Sequence, residues 1–398
     1  MPATAKKQKQ RLAILRQVYT RGPISRVDIA HITGITPAIT GSIVSELIQE
    51  GILAEVGFTG PTRPGSGRKR VLLALVGGRT YYIGSELSEG AFTFSLVDNV
   101  GHAVKQQVIH IAPADVHKVI NAHNYLKYLQ SFIAQCQKFK PAAIGIALPG
   151  HFNGENQRIS SSNPLWQQFA ITSVVSSISL PTFLENNVHC MAIAAHLISV
   201  PHPGDNFTYF HLGRGIFSSY VHNGQVHGHN NFLIGEVGHT IVNPSGPICE
   251  CGRRGCLQTY ASEGSIIKHV HALFQSGNKT YLHQLTNKAT DITFDNVLQA
   301  YNMGDDGVAA ILDDAMKYIA QTINNLSIML DSRQIILHGR IFQPVSLAKL
   351  LKSDIQQNQF LINGTTLQPV NIQKYSVSDG ADAAATMAAS QLLLHTNQ

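Results

Sequence analysis

Four side chains that can bind a metal ion lie close together in the segment 239–256. His239 is followed by Cys249, Cys251 and Cys256, so three of the five cysteines of this 398-residue chain fall in one short stretch. One imidazole and three thiolates suit a tetrahedral zinc ion with every position filled by protein, which is the structural rather than the catalytic arrangement. The alternative is a group of reduced cysteines without a metal. The residue types and spacing predict a structural Zn²⁺ site.

The other two cysteines, Cys136 and Cys190, have no such neighbours, and we expect them to be ordinary core residues. The apolar runs are too short and interrupted to span a membrane. The basic N-terminus lacks the apolar stretch of a signal peptide. We therefore expect a cytoplasmic protein, in which clustered cysteines more often bind metal or serve redox chemistry than form disulfides.

The positive charge of the chain is concentrated at its N-terminal end. Residues 1–75 contain eleven Lys or Arg against four Asp or Glu, whereas the whole chain carries a formal charge of +6. A basic module in front of a nearly neutral body indicates an anionic partner for that module. A solvated tail is the alternative. The length predicts two or three domains.

Three short helices separated by glycine turns are predicted within residues 1–75. Ser25 is the first residue of a capping-box-like start, and Thr36 precedes a proline at the first position of the third helix. Two strand-like runs, "ILAEV" and "VLLAL", flank a basic loop, as in a wing. Such trihelical units also mediate protein contacts, but the pattern together with the charge predicts a winged helix-turn-helix DNA-binding domain.

The third helix has one apolar and one small-residue face. We expect the apolar face to include Ile39 and Val44 and the small face to enter the major groove. The basic loop would meet phosphates or a narrow minor groove. The predicted DNA-binding residues are Thr36, Ala38, Thr40, Ser42, Arg63, Arg68, Lys69 and Arg70.

The remainder of the chain is α/β in character. Strand-like runs such as "AAIGIALPG", "FTYFHLG" and "QIILHGR" alternate with amphipathic helical stretches. The segment "YYIGSELSEGAFTFSLVDNVGHAV" predicts two antiparallel strands around a turn. Two α/β lobes of related layout are therefore expected.

Several motifs in this body occur in a characteristic order. "ENN" follows a strand, and "GEVGH" and "CECGRRGCLQ" come after it. These motifs, and the order in which they occur, resemble those of the ROK family (repressors, open reading frames and kinases). The resemblance covers nearly the whole chain. The resemblance implies a two-lobed actin-like, ribonuclease H-like sugar-kinase fold with a structural zinc, preceded in repressors by a winged helix. The implied domains are 1–75, then lobe 1 at 76–190 and lobe 2 at 191–398 with the zinc loop.

The resemblance also indicates where the chain departs from the family's kinases. Their glycine-rich phosphate loop corresponds to residues 86–90, "ELSEG", and a second phosphate-facing segment corresponds to 213–219, "GRGIFSS". A glycine pair near the nucleotide corresponds to His338-Gly339, and the general base to Asn187. An amide cannot accept a hydroxyl proton at neutral pH. No enzymatic activity is therefore expected.

A sugar pocket is nevertheless implied, since sugar hydroxyls need both donors and acceptors. The family's sugar-contacting positions match Asn163, Asn186, Asn187, Glu236 and His239, the last of which also binds the metal. One departure is Gln258, where the family usually has a sugar-contacting glutamate.

These features together predict a sequence-specific repressor of carbohydrate-metabolism genes, controlled by a sugar or sugar phosphate bound in a catalytically inactive body. One alternative is control by a protein partner such as a phosphotransferase-system component, without sugar binding. Another is an active ATP-dependent sugar kinase. A winged helix that binds two half-sites of double-stranded DNA requires at least a homodimer, and a homotetramer is also compatible.

Overall fold

The computed structural model describes residues 5–58, 69–228, 231–358, 362 and 368–394. The predicted DNA-binding residues Arg63 and Arg68 lie outside these ranges. The chain divides into two compact units, Met1–Pro203 with Val377–Gln398, and Gly204–Ser376. Within the part of the chain that is described, no helix has the length and apolar character needed to cross a membrane.

The N-terminal module contains the three predicted helices and an antiparallel hairpin. A two-residue strand pairs with the hairpin, which gives a three-stranded sheet of order β1-β3-β2. The Ser25 hydroxyl accepts a hydrogen bond from the Asp28 amide and caps the second helix, as its position in the sequence predicts. The elements are α1 (Ala5–Arg21), β1 (Ile24–Ser25), α2 (Arg26–Thr33), α3 (Pro37–Gln49), β2 (Leu53–Phe58) and β3 (Val71–Leu75).

Helix α3 buries Ile43, Val44 and Leu47, but Thr40 rather than Ile39 completes its inner face. Thr40 is fully buried, and Ile39 is 39% exposed. Residues 40, 43, 44 and 47 lie three and four positions apart, so they form one stripe, and Thr40 extends the stripe of Ile43, Val44 and Leu47 by a turn. The prediction that Thr40 contacts DNA and that Ile39 belongs to the core is therefore wrong.

Each unit contains one five-stranded sheet. The body of the chain begins at Tyr81. Its strands are β4 (Tyr81–Leu87), β5 (Ala91–Asp98), β6 (Ala103–His110), β7 (Ala143–Leu148), β8 (His151–Asn153), β9 (Arg158–Ser160), β10 (Thr182–Asn186), β11 (Phe207–Leu212), β12 (Ile216–His222), β13 (Gln225–Val226), β14 (Ile335–His338) and β15 (Val370–Ile372). Its helices are α4 (Val116–Val119), α5 (Ala122–Cys136), α6 (Pro164–Gln167), α7 (Ile171–Ser176), α8 (Asn187–Ile198), α9 (Gln258–Ala261), α10 (Glu263–Gln275), α11 (Leu282–Leu285), α12 (Phe294–Asn302), α13 (Asp306–Met329), α14 (Val345–Asn358) and α15 (Asp379–Leu394).

The two sheets share one topology. The first has the order β10-β7-β4-β5-β6 and the second β13-β12-β11-β14-β15. In each sheet, the first three strands along the chain form an antiparallel meander. The fourth strand pairs in parallel with the free edge of the first, and the fifth pairs in parallel with the fourth. The predicted β4–β5 hairpin is present, and the expectation of two lobes of related layout is confirmed.

The boundary between the units differs from the predicted one. Helices α8 and α15 both pack with the first sheet, so the first unit continues to Pro203 and recovers the C-terminal helix. The predicted lobe 2 at 191–398 is therefore wrong at both ends. The close contact of α15 depends on Gly84, because a Cβ atom there would lie 1.8 Å from the Ala381 carbonyl oxygen. A packing partner almost three hundred residues away leaves no local signal in the sequence.

Candidate functional site

The four predicted metal ligands converge in the second unit. His239 Nδ1 lies 3.5 Å from Cys249 Sγ, and Cys251 Sγ lies 3.6 Å from Cys256 Sγ. All four donor atoms are within 4.8 Å of one another. Ligands at Zn–N and Zn–S bond lengths in a tetrahedron are separated by about 3.5–3.8 Å. The donors can therefore hold one metal ion with no position left open.

Backbone pairing holds the loop that carries these ligands. The Cys249 amide donates to the Arg253 carbonyl at 2.7 Å, and the Val242 amide to the Gly255 carbonyl at 2.8 Å. Gly255 has a φ of +67°, and a Cβ atom there would lie 1.5 Å from the Asn243 carbonyl oxygen. Only glycine fits this left-handed, crowded position, which brings Cys256 back toward Cys251.

The ring of His239 connects the metal ligands to a carboxyl group. Its Nε2 atom lies 4.0 Å from Glu236 Oε2, on the opposite edge of the ring from the thiols. Burial raises the pKa of Glu236 to about 7. The two predicted sugar-contacting residues of this unit are therefore neighbours, and a metal ion bound at Nδ1 would fix the orientation of the imidazole.

Gln258, the departure from the family pattern, has a partner of its own. Its Nε2 donates to Glu250 Oε1 at 2.5 Å. A glutamate at position 258 would place a second carboxylate against Glu250 and would lose this hydrogen bond. The amide is therefore matched to the acidic residue that lies between two metal ligands in the sequence.

In the first unit, Asn186 caps helix α8. Its Oδ1 accepts hydrogen bonds from the Val188 and His189 amides at 2.9 and 3.2 Å, and its Nδ2 donates to the Gly150 carbonyl at 3.2 Å. The side chain is 3% exposed. Its role in this structure is to begin the helix and to position the residue that follows it.

The other two predicted sugar-contacting asparagines share one feature, a carboxyl partner from the end of β4 or the turn after it. Asn187 Nδ2 donates to Glu86 Oε1 at 3.2 Å, and Asn163 Nδ2 donates to Glu89 Oε1 at 2.6 Å. All four residues are half-buried. Sequence reasoning treated Glu86 and Glu89 as lost phosphate-loop positions and missed their contact with the asparagines.

The carboxyl group of Glu86 should make the stability of the protein depend on pH. Burial, with the nearby Asp379 adding to it, raises the pKa of Glu86 from 4.5 to about 7. Below pH 4.5 the folded and unfolded states both hold the proton. Between pH 4.5 and 7 only the folded state retains it, so stability falls as pH rises, by about 3 kcal/mol in total. The Glu86→Gln variant should not show this fall in stability with rising pH.

We therefore expect Glu86→Gln to melt at a higher temperature than the wild type at pH 8 and to lose that advantage at pH 4.5. Thermal unfolding at both pH values measures the difference. Glu155→Gln, in an exposed hairpin turn, is the matched control and should follow the wild type. An unchanged difference between wild type and Glu86→Gln across this range would contradict the prediction.

A model of the ROK family matches residues 82–394. The chain belongs to the ROK family. It is 23% identical over 341 residues to the xylose repressor of Bacillus subtilis (strain 168), a match that covers 85% of this chain and 83% of that protein.

Solved structures of ROK proteins resemble the chain, among them a regulator and a kinase. One is a ROK family transcriptional regulator, a homologue of the Escherichia coli MLC protein, with a TM-score of 0.74, 23% identity and 98% of each chain covered. The other is a ROK family glucokinase from Streptomyces griseus in complex with glucose and AMPPNP, with a TM-score of 0.66, 18% identity, and 77% and 99% covered. This ROK protein therefore has the actin-like fold of these regulators and sugar kinases.

The segments that correspond to phosphate loops in ROK kinases have different contacts here. The Ser88 hydroxyl donates to the Ala91 carbonyl at 2.8 Å and closes the β4–β5 turn. His338 ends β14, and its Nδ1 lies 2.9 Å from His211 Nδ1. Burial and the neighbouring His338 lower the pKa of His211 to about 3, so its imidazole is neutral at physiological pH.

The remaining predicted DNA-binding residues of this ROK protein lie at the surface of the N-terminal module. Thr36, Ala38 and Ser42 are exposed on or next to α3. Lys69 and Arg70 are exposed just before β3, and Arg70 Nη1 donates to Asp28 Oδ1 at 2.7 Å. Thr36, Ala38 and Ser42 form a surface of small side chains that a DNA groove can accommodate.

Proposed function

We propose that this protein is a DNA-binding transcriptional repressor of carbohydrate-metabolism genes, controlled by a sugar bound in its kinase-like body. The observation that carries the proposal is helix α8. It begins at Asn187, a predicted sugar ligand, and its last turn packs into the hydrophobic core of the N-terminal module. Leu197 is 5% exposed and belongs to the same cluster as Ile14 and Val18 of α1.

Helix α8 is a direct physical connection between the two functions. Its twelve residues span about 18 Å. Ile193 and Ile198 also pack against the N-terminal core, and the Tyr19 hydroxyl donates to the Asn99 carbonyl of the first sheet's β5–β6 turn. A ligand that changes the position of Asn187 would change the packing of α1, and with it the orientation of α3. By linkage, DNA would change sugar affinity to the same extent.

The DNA-binding face consists of the exposed small residues of α3 and the basic residues before β3. We propose that Thr36, Ala38 and Ser42 contact the major groove, and that Arg63, Arg68, Lys69 and Arg70 contact phosphates or the minor groove. Arg70 is held by Asp28 at 2.7 Å. We also propose that the protein binds its operator as a homodimer or homotetramer, because paired half-sites require two modules.

The metal in the four-ligand site is proposed to be Zn²⁺ with a structural role. The support is chemical: three thiols and one imidazole favour zinc over the oxygen-binding cations, and four protein ligands leave no place for substrate. The ligand atoms and their separations are those given above for His239 and the three cysteines.

We propose that the body transfers no phosphate. Asn187 cannot act as a base, and its amide is bonded to Glu86. The His338–His211 pair and the closed Ser88 turn replace phosphate-binding glycines. With ATP, Mg²⁺ and a panel of hexoses, phosphorylated product should stay at background. Turnover that disappears in Asn187→Ala would contradict this.

Sugar control is tested by a gel-shift titration of the full-length protein on operator DNA. A panel of monosaccharides and their phosphates should contain a member that changes operator affinity at least about tenfold. Asn187→Ala and Glu236→Ala should bind DNA as the wild type does but lose the response. Asn302→Ala, at an exposed helix end, should keep it. If no sugar changes affinity, control by a protein partner such as a phosphotransferase-system component replaces sugar sensing.

A further inference from the structure

Two acid–amide pairs lie at the predicted sugar site of the first unit. They are Asn187 with Glu86, at 3.2 Å, and Asn163 with Glu89, at 2.6 Å. Asn187 is the first residue of α8 and Asn163 precedes α6, whereas the two glutamates are three residues apart, at the end of β4 and in the turn after it. The turn therefore presents two carboxyl groups beside the two amides.

The hydrogen-bonding capacity of the amides is already partly used. Asn163 Oδ1 accepts from the Leu165 amide at 2.9 Å, and Asn187 Oδ1 accepts from the Val188 amide at 3.0 Å. Each Nδ2 gives one hydrogen to its carboxyl partner. The acceptors that a ligand meets beside these asparagines are consequently the oxygens of Glu86 and Glu89.

Glu86 is held in place by the element packed against it. A Cβ atom on Gly380, in the first turn of α15, would lie 2.1 Å from Glu86 Oε2. The carboxyl group is thus confined between Asn187 of α8 and the start of α15. Asp379, the residue before Gly380, adds a second negative charge that raises the pKa of Glu86. A ligand cannot bind at Asn187 without meeting this acidic group.

We infer that the effector of this protein is an unphosphorylated sugar whose hydroxyl groups donate to Glu86 and Glu89, and that sugar phosphates are rejected by the same two carboxyls. This inference rests on the proposed sugar-sensing function. A hydroxyl carries the donor that a carboxylate requires. A phosphate ester is a double anion whose oxygens accept hydrogen bonds but donate none, so beside the Glu86 carboxylate it meets charge repulsion.

The test compares matched pairs by calorimetry on the full-length protein at pH 8. The pairs are D-glucose with glucose 6-phosphate, N-acetylglucosamine with N-acetylglucosamine 6-phosphate, and D-xylose with xylose 5-phosphate. In the pair that binds, we expect the free sugar to bind at least about tenfold more tightly than its phosphate. Glu86→Gln and Glu89→Gln should each reduce that ratio, and Glu155→Gln should leave it unchanged.

The ratio of the two dissociation constants separates recognition from a general loss of stability, which would weaken both members of a pair. A phosphate that binds as tightly as its free sugar, or a ratio that stays the same in both Gln variants, would overturn the inference and leave sugar sensing in place. Binding of neither member of any pair would instead reject the proposed sensing function, and the inference with it.

Discussion

Replacing Cys251 by alanine should lower the zinc content from about one ion per chain to a small fraction of that. Cys251 is the exposed member of the ligand set, so its truncation removes little packing, and the effect can be assigned to the metal. Structural zinc contributes directly to folding. We expect the second unit to lose about 3 kcal/mol or more of stability, and the response to sugar to disappear because His239 is no longer held beside Glu236.

Metal analysis after reducing, chelator-free purification and thermal unfolding measure the two effects. Cys136→Ala is the control, because Cys136 is a buried cysteine of α5 outside the cluster. It should retain zinc and the sugar response, although truncation in the core lowers its stability. A wild-type protein with clearly substoichiometric zinc, or a Cys251→Ala variant with full zinc content, would refute the four-ligand site.

Ser42→Phe should reduce operator affinity at least about a hundredfold while leaving binding to random DNA within a few-fold. Ser42 is exposed on α3, and a phenyl ring there would keep the helix from entering the major groove. Loss of base contacts removes specific binding, whereas phosphate contacts supply most of the non-specific affinity. Competition gel shifts at fixed salt measure both affinities.

Two further variants make this result specific. Ser131→Phe places the same ring on an exposed position of α5 and should not affect DNA binding. Thr40→Val keeps the shape of a buried side chain and should retain operator affinity, because Thr40 does not reach the surface. A larger loss in Thr40→Val than in Ser42→Phe would contradict the assignment of the DNA-binding face.

Several features of this protein were determined by the sequence alone. Ser25 as a helix cap, the β4–β5 hairpin and the set of four metal ligands are all encoded in residues close together in the chain. Helix caps depend on the next three residues, hairpins on a short turn, and this metal site on one loop. For such features the local residue types and spacing are nearly the whole cause.

Tertiary structure decided the features that depend on distant partners. The sequence allowed either Ile39 or Thr40 on the inner side of α3, and packing against the rest of the module buried Thr40. The C-terminal helix joined the first unit because its backbone fits against Gly84. Glu86 met Asn187, 101 residues away, because β4 and the start of α8 lie side by side only in the folded unit. A residue's chemistry is set by its type, but its partners are set by the sheet on which it lies.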